Sequence, residues 1–197
     1  MKMKSCAALI AFGLLGLGFI ADADAGTVMA TGDAVIPPMG FIGFCVRHSK
    51  ECLVTAADPQ PVALTAERRA QLDRVQAEIN WQIKPKEDPS HAWEYASDGY
   101  GDCNTYALTK RQALLALGWP EDALLLAAAY DELGEGHLVL VARTSDGDLV
   151  LDNRLKPVVA WSALPYHWVA IQSQKSPARW LKVINAPVMM AKASPAQ

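Results

Sequence analysis

Residues 101–118 read GDCNTYALTKRQALLALG, and this stretch decides the fold. Asp102 is a candidate N-cap for a helix. Gly118 is a stop signal and Pro120 prevents continuation, so the pattern predicts a helix that runs to about Leu117. Cys103 therefore lies at the start of this helix. The side chains expected to pack inward are Ala107, Leu108, Leu114, Leu115 and Leu117, and those expected to face water are Lys110, Arg111 and Gln112.

Short apolar runs follow this helix and are separated by turn residues. Residues 124–130 and 137–143 form two such runs, and a turn at residues 145–148 precedes a third run at 149–152. Apolar runs of this length between turns predict an antiparallel meander. Residues 168–171 are expected to add a strand. A helix followed by antiparallel strands places the chain in the α+β class.

A second helix is predicted upstream of the first. Thr65 is a candidate N-cap, and Leu72, Val75 and Ile79 recur at helical spacing after it. Two prolines within residues 84–89 then end the helix. Both helices are therefore amphipathic elements that can cover one face of the meander.

The N-terminal segment has the pattern of a secretory signal peptide at residues 1–25. Lys2 and Lys4 precede an apolar run, and small residues lie just before Gly26, where cleavage is expected. A membrane anchor is the alternative, but it needs roughly 20 apolar residues, and this run is shorter and contains three glycines. We therefore expect a periplasmic or secreted protein without a stable membrane anchor after cleavage.

The remaining residues are predicted to form one domain with two flexible ends. Residues 26–40 mix glycine, proline and single apolar residues without a period, which predicts a flexible N-terminal arm. Residues 41–184 contain the predicted helices and strands and no internal repeat, so they are expected to form a single domain. Residues 185–197 are rich in alanine and proline and are expected to form a flexible tail. We expect a monomer.

The composition excludes some classes of protein. The chain carries 18 Lys and Arg residues against 21 Asp and Glu residues, a formal net charge of −3. This charge argues against an electrostatic nucleic-acid binder. Hydrophobic residues make up 51% of the 197 residues, which is enough for one sizeable core.

The cysteines outside the predicted signal peptide are odd in number, so one is expected to be free. Cys45 and Cys52 are seven residues apart, and in an oxidising compartment we expect them to form a disulfide. Two buried thiols are the alternative. A zinc site is disfavoured, because no other pair of candidate ligands has a close spacing. Cys103 is then the unpaired thiol.

Cys103 has the features of a catalytic nucleophile. A helix N-terminus stabilises negative charge and therefore a thiolate. His137 begins a predicted strand and is the candidate general base. Asp152 ends the strand paired with it, so hairpin pairing brings it opposite His137 and allows it to orient the imidazole. Three competitors for the orienting role lie nearby, namely Asp146, Asp148 and Asn153.

Three segments together carry a family resemblance: residues 101–107, 136–140 and 149–153. Their order and content resemble the bacterial transglutaminase-like cysteine proteinase family, over roughly residues 41–184. The resemblance implies a papain-like, transglutaminase-like core in which the helix bearing the nucleophile packs on an antiparallel sheet. It also implies a Cys103, His137 and Asp152 triad acting on a protein or peptide substrate. A cell-surface protein is the substrate class that the family suggests.

The chain departs from the family pattern next to the nucleophile. Related family members carry acidic residues directly after the catalytic cysteine, and these help to bind calcium. Here Asn104 and Thr105 occupy those positions, and only Asp102 before the cysteine is acidic. Calcium affinity rises with the number of carboxylate ligands, so we expect no metal and no other cofactor.

Other functions and residues stay open at this point. A transglutaminase or amidase would use the same first step as a peptidase, and an inactive binding module would keep the fold without turnover. Asn80 or Gln82 is a candidate second donor to an oxyanion. Large aromatics usually pack in the core, and the other histidines are expected to be surface or packing residues. These residues are Trp81, Trp93 and Trp119, with His48, His91 and His167.

Overall fold

The computed structural model describes residues 27–53, 58–90 and 92–184. The predicted signal peptide and the predicted C-terminal tail therefore lie outside the described residues. The helices are α1 (Met39–Arg47), α2 (Ala66–Gln82) and α3 (Cys103–Ala116). The strands are β1 (Thr31–Val35), β2 (Lys84–Pro85), β3 (Tyr100–Gly101), β4 (Leu124–Tyr130), β5 (Gly136–Thr144), β6 (Gly147–Leu151), β7 (Val159–Ala160), β8 (His167–Ser173) and β9 (Ser176–Val183).

Seven strands form one sheet in the order β1-β9-β8-β4-β5-β6-β7, with all neighbours antiparallel. The predicted meander is present as β4, β5 and β6, and β8 pairs with the other edge of β4. The nearly continuous apolar sequence of β4 fits this central position, because both faces of the strand are covered. Three helices with an antiparallel sheet confirm the predicted α+β class.

Alternating side chains of the sheet enter two separate cores. Leu124 and Leu126 of β4 join a cluster that contains residues of all three helices, while Leu125 and Ala127 join a cluster on the other face. This alternation is the period of a strand. The helix α3 packs against β5 and α2, so its N-terminus is held beside the start of β5.

The two predicted N-caps are present. Thr65 Oγ1 accepts a hydrogen bond from Arg68 N at 3.2 Å, and the Asp102 carboxylate caps α3. Each cap satisfies backbone N–H groups that have no acceptor inside the helix. The helix starts were therefore predicted correctly.

The predicted flexible arm spans residues 26–40, and its described residues, 27–40, instead contain regular structure. Its strand β1 pairs with β9 at the edge of the sheet, and α1 begins at Met39. Met29 is buried, and its N–H donates to the carboxylate of Asp148 at 2.8 Å. Three of the five residues of β1 are exposed at the edge of the sheet. The sequence of β1 therefore lacks the apolar alternation that usually predicts a strand.

The helix α3 also buries two charged residues that were expected to face water. Lys110 is 0% exposed and Arg111 is 4% exposed. Arg111 forms ion pairs with Glu51 and Glu121 at 2.7 Å each. Both side chains are buried because the helix is covered on several sides, and each has hydrogen-bond partners there.

A disulfide joins Cys45 of α1 to Cys52 of the following 3₁₀ turn, with a Cα–Cα distance of 5.8 Å. This is the pairing that the sequence predicts. Glu51 lies beside Cys52 in that turn and reaches Arg111, so the closed loop is tied to α3.

Within the described ranges, none of the helices has both the length and the apolar character needed to cross a bilayer.

Candidate active site

Cys103 is the first residue of α3 and is half-buried, and it is the free cysteine of the described residues. Asp102 Oδ1 accepts hydrogen bonds from the N–H groups of Asn104 and Thr105, at 3.0 and 3.2 Å. The N–H of the first helical residue has no acceptor inside the helix and stays available to a ligand. The helix N-terminus therefore offers positive dipole and a donor at the sulfur.

The backbone of Gly101, just before this helix, lies very close to the side chain of Thr105. A Cβ atom at this position would lie 2.4 Å from side-chain carbons of Thr105. Such a distance is shorter than any contact that a real side chain adopts, so only glycine fits without displacing the first turn of α3. The position of Cys103 therefore depends on a residue that has no functional group.

His137 and Asp152 lie at one end of the β5–β6 hairpin, and His137 Nε2 is 3.0 Å from Asp152 Oδ1. Both side chains are 0% exposed. The register differs from the prediction, because Leu140 pairs with Leu151 and the ladder continues without a bulge. Asp152 therefore lies diagonally across from His137, two residues along β5 from the expected position. The contact forms because diagonal neighbours on paired strands are within reach of long side chains.

The Asp152 carboxylate is held in place by several donors. Tyr166 donates its hydroxyl to Oδ2 at 2.6 Å, and the N–H of Arg154 donates to Oδ1 at 2.9 Å. Burial raises the pKa of Asp152, but the contacts with His137, Arg154 and Tyr166 outweigh it and lower the pKa below its ordinary value. Asp152 is therefore an ionised acceptor. Tyr166 was not identified from the sequence, because no local pattern there indicates a partner for a distant carboxylate.

The competing residues are engaged elsewhere. Asp148 binds Arg143 at the other end of the hairpin, and Asp146 accepts a hydrogen bond from Ser145 within the turn. Asn153 lines the cleft described below, but His137 Nε2 binds Asp152.

The pKa of His137 depends on its burial, on Asp152 and on Cys103. Burial lowers the pKa of His137, but the hydrogen bond with Asp152 and interactions with Cys103 outweigh it and raise the pKa from 6.5 to about 9. Since Nε2 binds Asp152, Nδ1 is the nitrogen left for the thiol. Nδ1 makes no hydrogen bond of ordinary geometry within residues 27–53, 58–90 and 92–184. Catalytic hydrogen bonds are often long before substrate binds.

Cys103 and His137 line the same cleft, whose volume is about 1660 Å³. Pockets for small ligands occupy roughly 300–1,000 Å³, so this cleft has room for a longer molecule. Trp93 lines the cleft, whereas Trp81 is 83% exposed and Trp119 is buried with its indole N–H donated to Gln71. Of the three tryptophans considered, Trp93 is the one at the cleft.

The two candidate oxyanion donors do not line the cleft. Asn80 donates its amide to the carbonyl oxygens of Asp152 and Leu155, at 3.2 and 2.8 Å. Gln82 is exposed at the end of α2. The hypothesis of a side-chain oxyanion donor at either position was therefore wrong, because the amide of Asn80 is used to hold the turn after β6.

The other histidines have different surroundings. His48 stacks on Phe44 with ring centroids 4.6 Å apart and contacts Glu94 at 2.7 Å. His167 is exposed at the cleft and stacks with Tyr130 at 6.4 Å. His91 lies outside the described residues. The two described histidines are a packing residue and a surface residue.

The model of the bacterial transglutaminase-like cysteine proteinase family BTLCP matches residues 31–187. The chain belongs to this family. Among solved structures it is similar to calcium-bound LapG of Legionella pneumophila, with 26% identity, a TM-score of 0.50, and coverage of 62% of this chain and 74% of LapG. A second Legionella pneumophila LapG structure is 30% identical, with a TM-score of 0.48 and coverage of 57% of this chain. The match spans 66% of that LapG chain, just under two thirds of its length. No curated protein matches the chain.

The residues around Cys103 do not fit a calcium site. Both oxygens of Asp102 accept from donors of the helix start: Oδ1 from backbone N–H groups, and Oδ2 from Asn104 Nδ2 at 3.0 Å. Calcium requires six to eight oxygen ligands with free lone pairs. No group of three or more His, Cys, Asp or Glu side chains suited to a metal occurs in the part of the chain described by the structure.

Proposed function

We propose that this family member is a cysteine peptidase of the periplasm or the extracellular space, which hydrolyses a peptide bond of a protein substrate. Cys103 is the nucleophile, His137 the general base and acid, and Asp152 the residue that orients His137. The observation that carries the proposal is the arrangement of His137. Its Nε2 is fixed by a buried carboxylate, while its other side shares a cleft with the free thiol.

The reaction begins with a proton on His137 and a thiolate on Cys103. The sulfur forms a bond to the substrate carbonyl carbon, and the N–H of Cys103 at the start of α3 donates to the oxyanion. His137 then gives its Nδ1 proton to the amide nitrogen as the C–N bond breaks. The products of this half-reaction are a free amine and a thioester on Cys103.

Water completes the cycle. Neutral His137 removes a proton from a water molecule, whose oxygen attacks the thioester carbonyl. The C–S bond breaks, the carboxylic acid product leaves, and the proton held by His137 restores the ion pair with the thiolate. Asp152 stays ionised throughout and fixes the tautomer and orientation of the ring.

The substrate class and the compartment follow from two further observations. The cleft has room for an extended peptide, and the family is one of proteinases, which supports a protein substrate. The disulfide between Cys45 and Cys52 supports an oxidising compartment, where such bonds persist. A cell-surface protein is consistent with both.

The test compares the exported proteins of cells that carry the wild-type chain with those of cells carrying Cys103→Ser. Quantitative sequencing of protein N-termini reports each new end. We expect at least one new N-terminus that depends on Cys103 and on His137. Asp148→Asn is a matched control, because it removes a buried carboxylate of the same hairpin outside the site.

Purified enzyme and the identified substrate then separate the related reactions. Two fragments support hydrolysis, whereas a crosslinked product with an added lysine peptide supports acyl transfer. Identical N-termini in all strains, together with a Cys103 alkylation rate equal to that of free cysteine, would contradict a peptidase and support a binding module.

A further inference from the structure

A lysine lies entirely inside the protein behind the candidate active site. Lys110 is 0% exposed and is located on α3, two turns after Cys103. Its Nζ donates to Gln76 Oε1 at 2.8 Å and lies 5.8 Å from the ring centre of Tyr106. A carboxylate partner within ion-pair distance is absent among the described residues. A buried ammonium without such a partner is unfavourable, so burial lowers the pKa of Lys110 from 10.5 to about 7, while the Asp152 carboxylate acts in the opposite direction.

The amide of Gln76 connects Lys110 to the end of β6. Gln76 is also 0% exposed, and its Nε2 donates to the carbonyl oxygens of Asp152 and Leu155, at 2.7 Å each. Both amide protons are therefore used on one turn of the backbone. Asn80, one turn later on α2, donates to the same two carbonyl oxygens.

Lys110 determines which way the Gln76 amide points. In its ammonium form Lys110 only donates hydrogen bonds, so its partner is Oε1 and not Nε2. If the amide turned over, its oxygen would meet two carbonyl oxygens and its NH₂ group would meet the ammonium. The ammonium thus fixes the donors of Gln76 on the turn that carries Asp152.

We propose that Lys110 is a positioning residue that acts through Gln76 to hold Asp152 against His137. This role rests on the proposed function, since it matters only where Asp152 orients a reacting imidazole. The ammonium also attracts the Asp152 carboxylate. Lys110 itself does not line the cleft and does not touch a substrate.

The test uses two readouts that report the alignment of His137 and not the stability of the fold. The first is the rate of iodoacetamide modification at Cys103, measured by peptide mass spectrometry. The second is the low-field proton resonance of His137 Nε2–H, which reports the hydrogen bond to the carboxylate. We expect Lys110→Met to slow modification about tenfold and to shift or broaden the resonance, because a displaced base loses its alignment. Leu114→Ala is the control, as a fully buried residue of the same helix outside this chain of hydrogen bonds.

Two further variants test the path through Gln76. Gln76→Glu keeps an oxygen for Lys110 but removes both donors to the turn, so it should show the same loss as Lys110→Met. The double variant should be no slower than Gln76→Glu alone, because both changes break one path. Gln76→Glu also keeps the test possible if Lys110→Met fails to fold.

The outcomes separate this inference from the proposed function. Wild-type rates and an unchanged resonance in folded Lys110→Met or Gln76→Glu would overturn the positioning role. His137→Ala is measured alongside them. If it modifies as fast as the wild type, the proposed function itself fails, whereas a slow His137→Ala with a fast Lys110→Met refutes only the role of Lys110.

Discussion

Replacing Asp152 by asparagine should lower the pKa of His137 and weaken its ion pair with Cys103 near neutral pH. The pKa of His137 is raised from 6.5 to about 9, which corresponds to roughly 3 kcal/mol in favour of the imidazolium. Burial opposes this rise, and the contacts with Asp152 contribute at least as much as those with Cys103. Loss of the Asp152 carboxylate should therefore remove part of this energy and lower the pKa of His137, which reduces the fraction of imidazolium near neutral pH.

The assay is the pH dependence of Cys103 alkylation by iodoacetamide. In the wild type the imidazolium persists up to about pH 9. A protonated ring near Cys103 favours a reactive thiol, so alkylation should be fast at neutral pH. In Asp152→Asn the imidazolium is lost at lower pH. Alkylation of Cys103 at neutral pH should then be slower than in the wild type. The difference between the two proteins should lie below about pH 9, where the wild-type ring is protonated and the ring of the variant has lost its proton.

The matched control is Asp148→Asn. Asp148 is a buried carboxylate in the same hairpin, paired with Arg143 at 2.8 Å, so its loss destabilises the fold without touching His137. It should keep the wild-type alkylation profile. Superimposable profiles for the wild type and folded Asp152→Asn would refute the assignment of Asp152 as the group that sets the protonation of His137.

Four further predictions concern stability and metal binding. Gly101→Ala should lower Tm and slow alkylation, since its Cβ would overlap the side chain of Thr105 at a cost of about 1–3 kcal/mol. Calcium or EGTA should leave Tm unchanged, because donors occupy the Asp102 carboxylate; a calcium-dependent rise in Tm would contradict this. In urea unfolding, the extra stability of the wild type over His137→Gln should be full below pH 6.5 and lost as the pH rises through about 9, because the folded-state pKa is raised; a constant difference would contradict this sign. Arg111→Met should lower the free energy of unfolding by about 3 kcal/mol by leaving two carboxylates unpaired, and an unchanged urea midpoint would count against it.

Elements with local signals could be predicted from the sequence. The caps at Thr65 and Asp102 are such signals, because a short polar side chain before a helical period satisfies the first N–H groups. The strand β4 was recognisable as a short apolar run between turns. The edge strand β1 had no such pattern, since its pairing with β9 joins residues about 150 positions apart in the chain.

The sequence was sufficient to propose Cys103, His137 and Asp152 as candidates, but not to predict their geometry. The order of Cys103, His137 and Asp152 carried the family resemblance, which the family model now confirms. The register of the hairpin depended on its turn, where Thr144 pairs with Gly147, and this detail shifted Asp152 by two residues. The contact with His137 forms despite that shift, and Tyr166 and the N–H of Arg154 also hold the Asp152 carboxylate.

The burial of Lys110 and Arg111 could not be predicted from the sequence of α3 alone. A helical pattern assigns Lys110 and Arg111 to water because it treats the helix as having one covered face. In the folded chain, α2 covers a second face and brings Gln76, and the disulfide loop brings Glu51. Each burial therefore depends on a partner at least 34 residues away in sequence. It follows that the groups packed behind the candidate site are specified by tertiary contacts and not by the sequence around Cys103.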